Sequence, residues 1–536
     1  MFAFTHKNNQ VIKNNRILKT LFLVFLSIQL FAQKPNSLPV SNPEAQGVSS
    51  QSIIDFLDAI SQSQNEFHSF MILRHGKIIA QGWWNPYRSD LKHTMYSVSK
   101  SFTASAIGFA IAEKKLSVND KVISFFPDEL PDTVGPYLAA LRVKDLLSMS
   151  VGMQPDPTGE IGGNHDDWIK AFFKTPIINE PGTKFLYNSA ASFMLSAIVQ
   201  KVTGKKTLDY LQLKLFNPLG ITGLDWEVNP QGINTGGWGL RLKTEDMAKF
   251  GQLFLQKGMW NGKQILPQSW ITEASTKKID QDPNAPQAKK DSSDWLQGYC
   301  YQMWRCRNNE YRGDGAFGQY IIVMPDKDAV VVITSETSNM QSELNLVWKY
   351  LLPSFHDKPI PADNKTQAIL KEKIASLALP VAKAGSSVVE SKISGKTFAI
   401  DSVNSNLKSI HFEFKNGDCW LSLKTDSVTH TIAFGKDKWI QAETTKWGPY
   451  LVSKLKGNRT NISSFRIAGN YNWKDEKTLE LTLRYIESPH TEIIKCIFDE
   501  SNMSVDFENS FNRSDKLIYK GVLAARSEGR TESYTY

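Results

Sequence analysis

The stretch MYSVSKSFTASAIGFAIAEKK, residues 95–115, runs from a cluster of serines into an apolar segment whose length and composition predict a buried helix. Ser97, Ser99, Ser101 and Lys100 stand at its head. Hydroxyls and an ammonium are costly to bury unless they find partners or have chemistry to do. Ser97 and Lys100 are three residues apart, so on a helix they share one face. They also lie where free N–H groups and the positive end of the helix dipole gather. That placement suits a nucleophile: a desolvated lysine is driven toward its neutral, basic form, and backbone N–H groups can hold an oxyanion. The bland alternative makes Ser97 a helix cap and Lys100 half of an ion pair. Ser-x-x-Lys also occurs at Ser275/Lys278, Ser405/Lys408 and Ser453/Lys456, but none of these heads a long apolar helix.

Upstream of the serine helix, SQSIIDFLDAIS (50–61) puts Ile53, Ile54, Phe56, Leu57 and Ile60 on one helical stripe. SFMILRHGKIIAQGWW (69–84) reads as two strands folded at His75-Gly76, and QYIIVMPDKDAVVVITSE (319–336) as two more around Pro325-Asp326. Strands at both ends with helices between predict one antiparallel sheet closed by its own termini, with a helical insert beside it. Composition changes near residue 355, where HDKPIPADNKTQ forms a polar connector and AILKEKIASLALP a short helix. Beyond residue 385 the pattern is strand after strand, with a hairpin turn at Asn416-Gly417. The expected organisation is a signal segment (1–32), a catalytic domain (40–355), a linker with a short helix (356–384), an all-β sandwich or barrel (385–525) and a loose tail (526–536).

Two further elements bear on the serine helix. EPGTKFLYNSAASFMLSAIVQKVTG (180–204) presents Tyr187, Asn188 and Ser189 in a turn before an apolar helix. YRGDGAFGQYIIVMP (311–325) is a glycine-rich lead into a strand. With S-V-S-K first, Y-x-[NS] second and the glycine strand third, the chain over about residues 45–350 resembles the penicillin-recognising serine hydrolases. That group holds class C β-lactamases, D,D-peptidases and family VIII esterases, and the resemblance is strongest to the branch of 6-aminohexanoate-oligomer hydrolases. LSVNDKVISFFPDEL (116–130) and the stretch TGGWGLRLKTEDMAKFGQLFLQKGMWNGKQILPQSW (235–270) also look like segments of that family. The resemblance implies an α/β (α+β) fold of the β-lactamase/transpeptidase type, here followed by the all-β domain. It makes Ser97 the acylated nucleophile, Lys100 its base, and Tyr187, its pKa lowered beside Lys100, a proton relay to the leaving group. Asn188 and Ser189 would line the site by hydrogen bonding. The oxyanion hole would be the N–H of Ser97 and one from the strand, at Ala316 rather than Phe317, near Asp314 and Gly315.

One departure narrows the substrate. Where β-lactamases and D,D-peptidases carry a Lys or His that meets a substrate carboxylate, this chain has RGDG, residues 312–315. Asp314 would repel such a group unless Arg312 turned inward to compensate. The expected activity is therefore hydrolysis of a small ester, or an amide, through an acyl-enzyme. The alternatives are a cell-wall D,D-peptidase or weak β-lactamase, and a non-catalytic ligand-binding protein that retains the fold.

Other signals are weaker. GDGAFG (313–318) spells a dinucleotide fingerprint, but a strand follows where that motif needs a helix. SGKT (394–397) lacks the leading glycine of a phosphate loop, and G-x-S-x-G, HExxH and CxxC do not occur. No metal or organic cofactor is implied. His165 reads as a loop residue; Trp83, Trp84, Trp238 and Trp304 are candidates to line a cleft; Trp420, Trp439, Trp447 and Trp473 read as packing of the all-β domain. The first 32 residues hold Lys7, Lys13, Arg16 and Lys19 and no acid, so the formal charge of +8 falls to +4 without them, too little to argue for nucleic acid. Their apolar run, LFLVFLSIQLFA, is too short for a membrane span and predicts export with cleavage near Ala32, leaving no stable membrane anchor. Of four cysteines, Cys300 and Cys306 are too far apart to bridge along an extended strand, which leaves Cys419 with Cys496 as the better pair.

Overall fold

Helix α1 (Ser50–Gln62) is capped by Ser49, whose side chain accepts from the N–H of Gln51. Its apolar stripe lies on the strands that follow it: Phe56 meets Phe67 and Phe70 edge to face, each at 6.3 Å between ring centres. Those strands, β1 (Glu66–Arg74) and β2 (Lys77–Trp83), turn at His75 and Gly76, both with positive φ, as a tight hairpin turn requires. The computed structural model describes residues 37–383, 385–401, 406–456, 464–512 and 517–524. The expected signal segment and the tail 526–536 lie outside the described residues.

The central sheet adds β3 (Trp304–Arg305), β4 (Tyr311–Gly315), β5 (Gln319–Met324) and β6 (Ala329–Glu336), in the spatial order β2-β1-β6-β5-β4-β3. The N-terminal hairpin thus pairs with β6, the last strand of this sheet in chain order, Phe70 opposite Ile333 and Met71 opposite Val332. Every residue of β5 and all but the last of β6 are buried, so both faces are covered. Helices α2 (Ser99–Ala112), α3 (Ser189–Thr203) and α4 (Thr244–Leu255) occupy the middle of the chain, and Phe102 of α2 stacks on Phe250 of α4 at 4.0 Å.

The C-terminal strands are β7 (Lys396–Asp401), β8 (Leu407–Lys415), β9 (Asp418–Thr425), β10 (Thr429–Lys436), β11 (Ile440–Thr444), β12 (Phe465–Trp473), β13 (Thr478–Tyr485), β14 (Thr491–Asp499), β15 (Asn502–Asn509) and β16 (Leu517–Leu523). They run β10-β9-β8-β7-β16-β15-β14-β13-β12-β11, and a short parallel pairing of Gly435–Lys436 with Asn470–Tyr471 closes the ring into a barrel. Alternate side chains fill it, including Phe412, Leu421, Phe434, Leu481 and Ile494.

From Val40 onward the described residues form one compact unit, in which the barrel packs on the sheet through buried polar groups. Both guanidinium nitrogens Nη1 and Nη2 of Arg484 donate to Glu66 on β1, the N–H of Thr94 donates to the carbonyl of Glu487, and Tyr87 Oη to that of Ser488.

The cysteine expectations need correcting. Cys419 and Cys496 are free thiols pointing into the barrel core, where burial pushes both well up and apolar packing is their role. Cys300 and Cys306 are free as well, but not because an extended strand separates them. The chain doubles back between them, with Gln302 at φ +60° and Tyr299 bridged to Trp304.

Candidate active site

Ser97 sits in a 3-10 turn (Tyr96–Val98) that leads directly into α2. Every residue of α2 from Ser99 to Ala110 is buried, so this stretch has no solvent face and its hydroxyls must find internal partners. They do. Ser99 Oγ accepts from the N–H of Leu240 (3.2 Å), Ser101 Oγ donates to the carbonyl of Gln302 (2.9 Å), and Thr103 Oγ1 to that of Gly236 (2.8 Å). These groups stitch surrounding loops to the helix, and Ser97, only half-buried, is the serine left facing outward.

Lys100, 1% exposed, lies among three oxygens: Ser97 Oγ at 3.0 Å, Ser189 Oγ at 2.9 Å and the Gly237 carbonyl at 2.7 Å. Its nearest carboxylate influences, Asp156 and Asp314, act through space only. Burial outweighs them and pushes the ammonium from 10.5 down to about 7. A neutral amine has two N–H groups and one lone pair. The Gly237 carbonyl can only accept and Ser189 Oγ can accept the second N–H, which directs the lone pair at the Ser97 hydroxyl.

Ser189 is therefore the residue of the second motif that touches the lysine. Asn188, expected to line the site, does not: it is 1% exposed, caps α3 by accepting from the N–H of Ala191 (3.2 Å), and turns its amide to Met153 Sδ. Its polar atoms are spent on the cap. Tyr187 neighbours the Ser97 side chain, and Lys100 Nζ lies 4.8 Å above its ring. Trp304 stacks on the same ring at 5.5 Å and 24°. The expectation of a lowered pKa for Tyr187 is overturned, because burial raises it, helped by Asp314 and Asp156, and the neighbouring Ser97 hydroxyl only partly opposes this. Tyr187 is a neutral phenol throughout the ordinary pH range.

The glycines of the third motif have a steric reason. A methyl group on Gly315 would lie 2.3 Å from the carbonyl oxygen of Met95, and one on Gly313 would lie 3.2 Å from Ser101 Oγ. Strand β4 thus runs flush against the backbone that enters the Ser97 turn. The turn after it, Ala316–Gly318, is pinned by Gln319, whose amide donates to the carbonyls of Ala316 (3.1 Å) and Ser335 (2.8 Å). The Phe317 carbonyl is occupied by the N–H of Thr337 (3.1 Å) and by Ser335 Oγ (2.9 Å).

Asp314 is bound by Arg312 through Nε (2.9 Å) and Nη2 (2.8 Å). Arg312 itself is completely enclosed, its guanidinium 4.5 Å from the Trp295 ring and 5.7 Å from the Trp304 ring. It does not turn toward a substrate. Burial raises the pKa of Asp314 against the pull of Arg312. His165 is on an exposed loop facing Glu160 at 3.6 Å, and of the cleft tryptophans Trp304 meets Tyr187. The residue missed by sequence reasoning is Gly237, which acts through its backbone; the Gly236-Gly237 pair was its only trace.

The model of the family described as Beta-lactamase matches residues 65–351. A 6-aminohexanoate-dimer hydrolase of Paenarthrobacter ureafaciens is 25% identical over 49% of this chain and 71% of its own. A chain of Escherichia coli O157:H7 named "Putative D-alanyl-D-alanine carboxypeptidase" is 25% identical over 39% of this chain, which spans 54% of that relative's length, about half. Among solved structures, an octameric penicillin-binding protein homologue from Pyrococcus abyssi is 16% identical, with 88% of this chain and 99% of that chain covered and a TM-score of 0.44. With the family match spanning more than half its length, this chain belongs to the β-lactamase family of serine hydrolases.

Proposed function

We propose that the protein hydrolyses small esters, and amides more slowly, through an acyl-enzyme on Ser97. The observation that carries this reading is the 3.0 Å contact between Ser97 Oγ and a lysine whose pKa burial has brought to about 7. Lys100 takes the hydroxyl proton as Ser97 Oγ attacks the substrate carbonyl, and the resulting ammonium is held by Ser189 Oγ and the Gly237 carbonyl. The N–H groups of Ser97 and Ala316 receive the oxyanion. Tyr187, a neutral phenol beside Ser97, hands its proton to the leaving group and recovers one from Lys100. Water then repeats the sequence on the acyl-enzyme and frees the acid.

Arg312 speaks against a substrate carboxylate. This cation of the third motif is enclosed and committed to Asp314, while Asp156 and Asp314 lend the lysine and tyrosine a negative surrounding. Intact-mass labelling with a fluorophosphonate, wild type beside Ser97→Ala, tests the reading. One adduct on the wild type and none on the variant is expected. A folded wild type that takes no adduct would overturn it in favour of a binding protein that retains the fold.

A further inference from the structure

We propose that the barrel is a working part of the active site, and that His490 positions both backbone segments of the oxyanion hole. This rests on the reading of Ser97 as nucleophile. His490 follows β13, lies just before β14 and is fully buried. Its Nε2 lies 2.5 Å from Oη of Tyr96, the residue immediately before Ser97. Its Nδ1 lies 2.7 Å from Glu336 Oε1 at the end of β6, which also accepts from Ser510 Oγ at 2.6 Å. One tautomer satisfies the whole chain of bonds. Nδ1–H donates to the carboxylate, the Tyr96 hydroxyl donates to Nε2, and Tyr96 Oη still accepts from the N–H of Leu451 at 3.3 Å.

Tyr96 holds φ +44°, a left-handed conformation that a bulky residue keeps only when its surroundings impose it. The barrel imposes it twice: by the hydrogen bonds to the hydroxyl, and by Tyr450, stacked on the Tyr96 ring at 5.3 Å and 19°. The same imidazole stands edge-on to Phe317 at 4.8 Å and 89°, and Phe317 meets Tyr96 at 5.7 Å. Phe317 is the neighbour of Ala316 in the turn beside the nucleophile. His490 therefore touches the side chain next to each of the two N–H groups that would bind the oxyanion. It is a positioning residue, acting through Tyr96 and Phe317.

The test measures the rate constant of Ser97 acylation by the fluorophosphonate, and kcat and KM on a p-nitrophenyl ester, for full-length wild type, Tyr96→Phe, His490→Ala and the double variant. Folding is checked by circular dichroism and melting temperature, and Lys477→Ala on the barrel surface serves as control. Each single variant is expected to lose about 10- to 100-fold in acylation rate and kcat, the scale of a small misplacement. KM should stay within about twofold, since ground-state binding is untouched. The double variant should be no slower than the slower single, because both remove the same bond. Folded variants with wild-type acylation rates, or a change in KM alone, would overturn the proposal while leaving the hydrolase reading intact. An unlabelled wild type would overturn the hydrolase reading and this one with it. Should His490→Ala not fold, Tyr96→Phe, which removes a single oxygen, decides alone.

Discussion

Glu66 of β1 and Arg484 of the barrel are joined by two hydrogen bonds, 2.5 and 3.0 Å long, across the seam between sheet and barrel. Burial alone would raise the Glu66 carboxyl, but the Arg484 guanidinium and His68 hold it far below its ordinary value. Truncating one member of such a pair strands the other's charge. Arg484→Met is therefore expected to cost about 2–4 kcal/mol, and Glu66→Gln with Arg484→Met less than the single change. Urea titration measures both. Because the folded pKa is depressed, this stabilisation is complete above pH 4.5 and is lost as pH falls below it toward the folded value. An unfolding midpoint flat from pH 7 down to pH 3 would show that the pair contributes nothing.

Lys100 leads to a prediction about rate. Only the neutral amine can accept the Ser97 proton, and burial brings its pKa to about 7. The rate kcat/KM should rise with pH through an apparent pKa near 7 and fall about tenfold per unit below it. Lys100→Arg, which stays charged, should abolish acylation. A profile flat from pH 5 to 9 would assign the base elsewhere.

The same burial leads to a prediction about stability. The unfolded lysine holds its proton up to 10.5 and the folded one only to about 7, so the folded state binds fewer protons in that window. Wild-type stability therefore rises with pH between about 7 and 10.5 and carries the full penalty below pH 7. Lys100→Met, which removes the buried ammonium, is expected to melt higher than wild type at pH 6. That advantage should shrink on going to pH 9.5. A lower melting temperature at pH 6 would mean that the three oxygens around Lys100 repay its burial.

Much of this arrangement is legible in the chain because it is local. His75-Gly76 and Asn416-Gly417 announce hairpins whose strands alternate or run apolar, and Ser97 and Lys100 lie one helical turn apart. What escapes the sequence is non-local or belongs to the backbone. The Gly237 carbonyl has no side chain to advertise it. The direction of the Tyr187 shift depends on how deeply later segments bury it. Asn188 and Ser189 are adjacent and both polar, and only the start of α3 decides that the first is a cap and the second meets Lys100. The barrel closes through four residues, Gly435–Lys436 against Asn470–Tyr471, which no pattern within either strand predicts.

Arg312 and Asp314 bear on both substrate and stability. Since Arg312 is wholly enclosed and held by Asp314, an anionic β-lactam has no partner there. Nitrocefin turnover is expected at least about 100-fold below that of an uncharged p-nitrophenyl ester, the scale set by a missing polar partner. Comparable rates would overturn the ester reading. Arg312→Met strands a carboxylate that is 8% exposed and should cost about 3–5 kcal/mol in urea titration.

Tyr187 separates leaving groups. Burial keeps it a neutral phenol, beside Ser97 and stacked on Trp304, so it can donate a proton but cannot act as a phenolate base. A p-nitrophenolate departs without being protonated, whereas the amine of an amide must be protonated before its bond breaks. Tyr187→Phe should therefore cost about 100-fold in kcat on a p-nitroanilide or simple amide, but less than about 10-fold on the p-nitrophenyl ester. It should leave the melting temperature near wild type, since the ring and its stacking survive. Equal losses on both substrates would mean that Tyr187 assists the attack of Ser97 instead, and the proton for the leaving group would then come directly from the Lys100 ammonium.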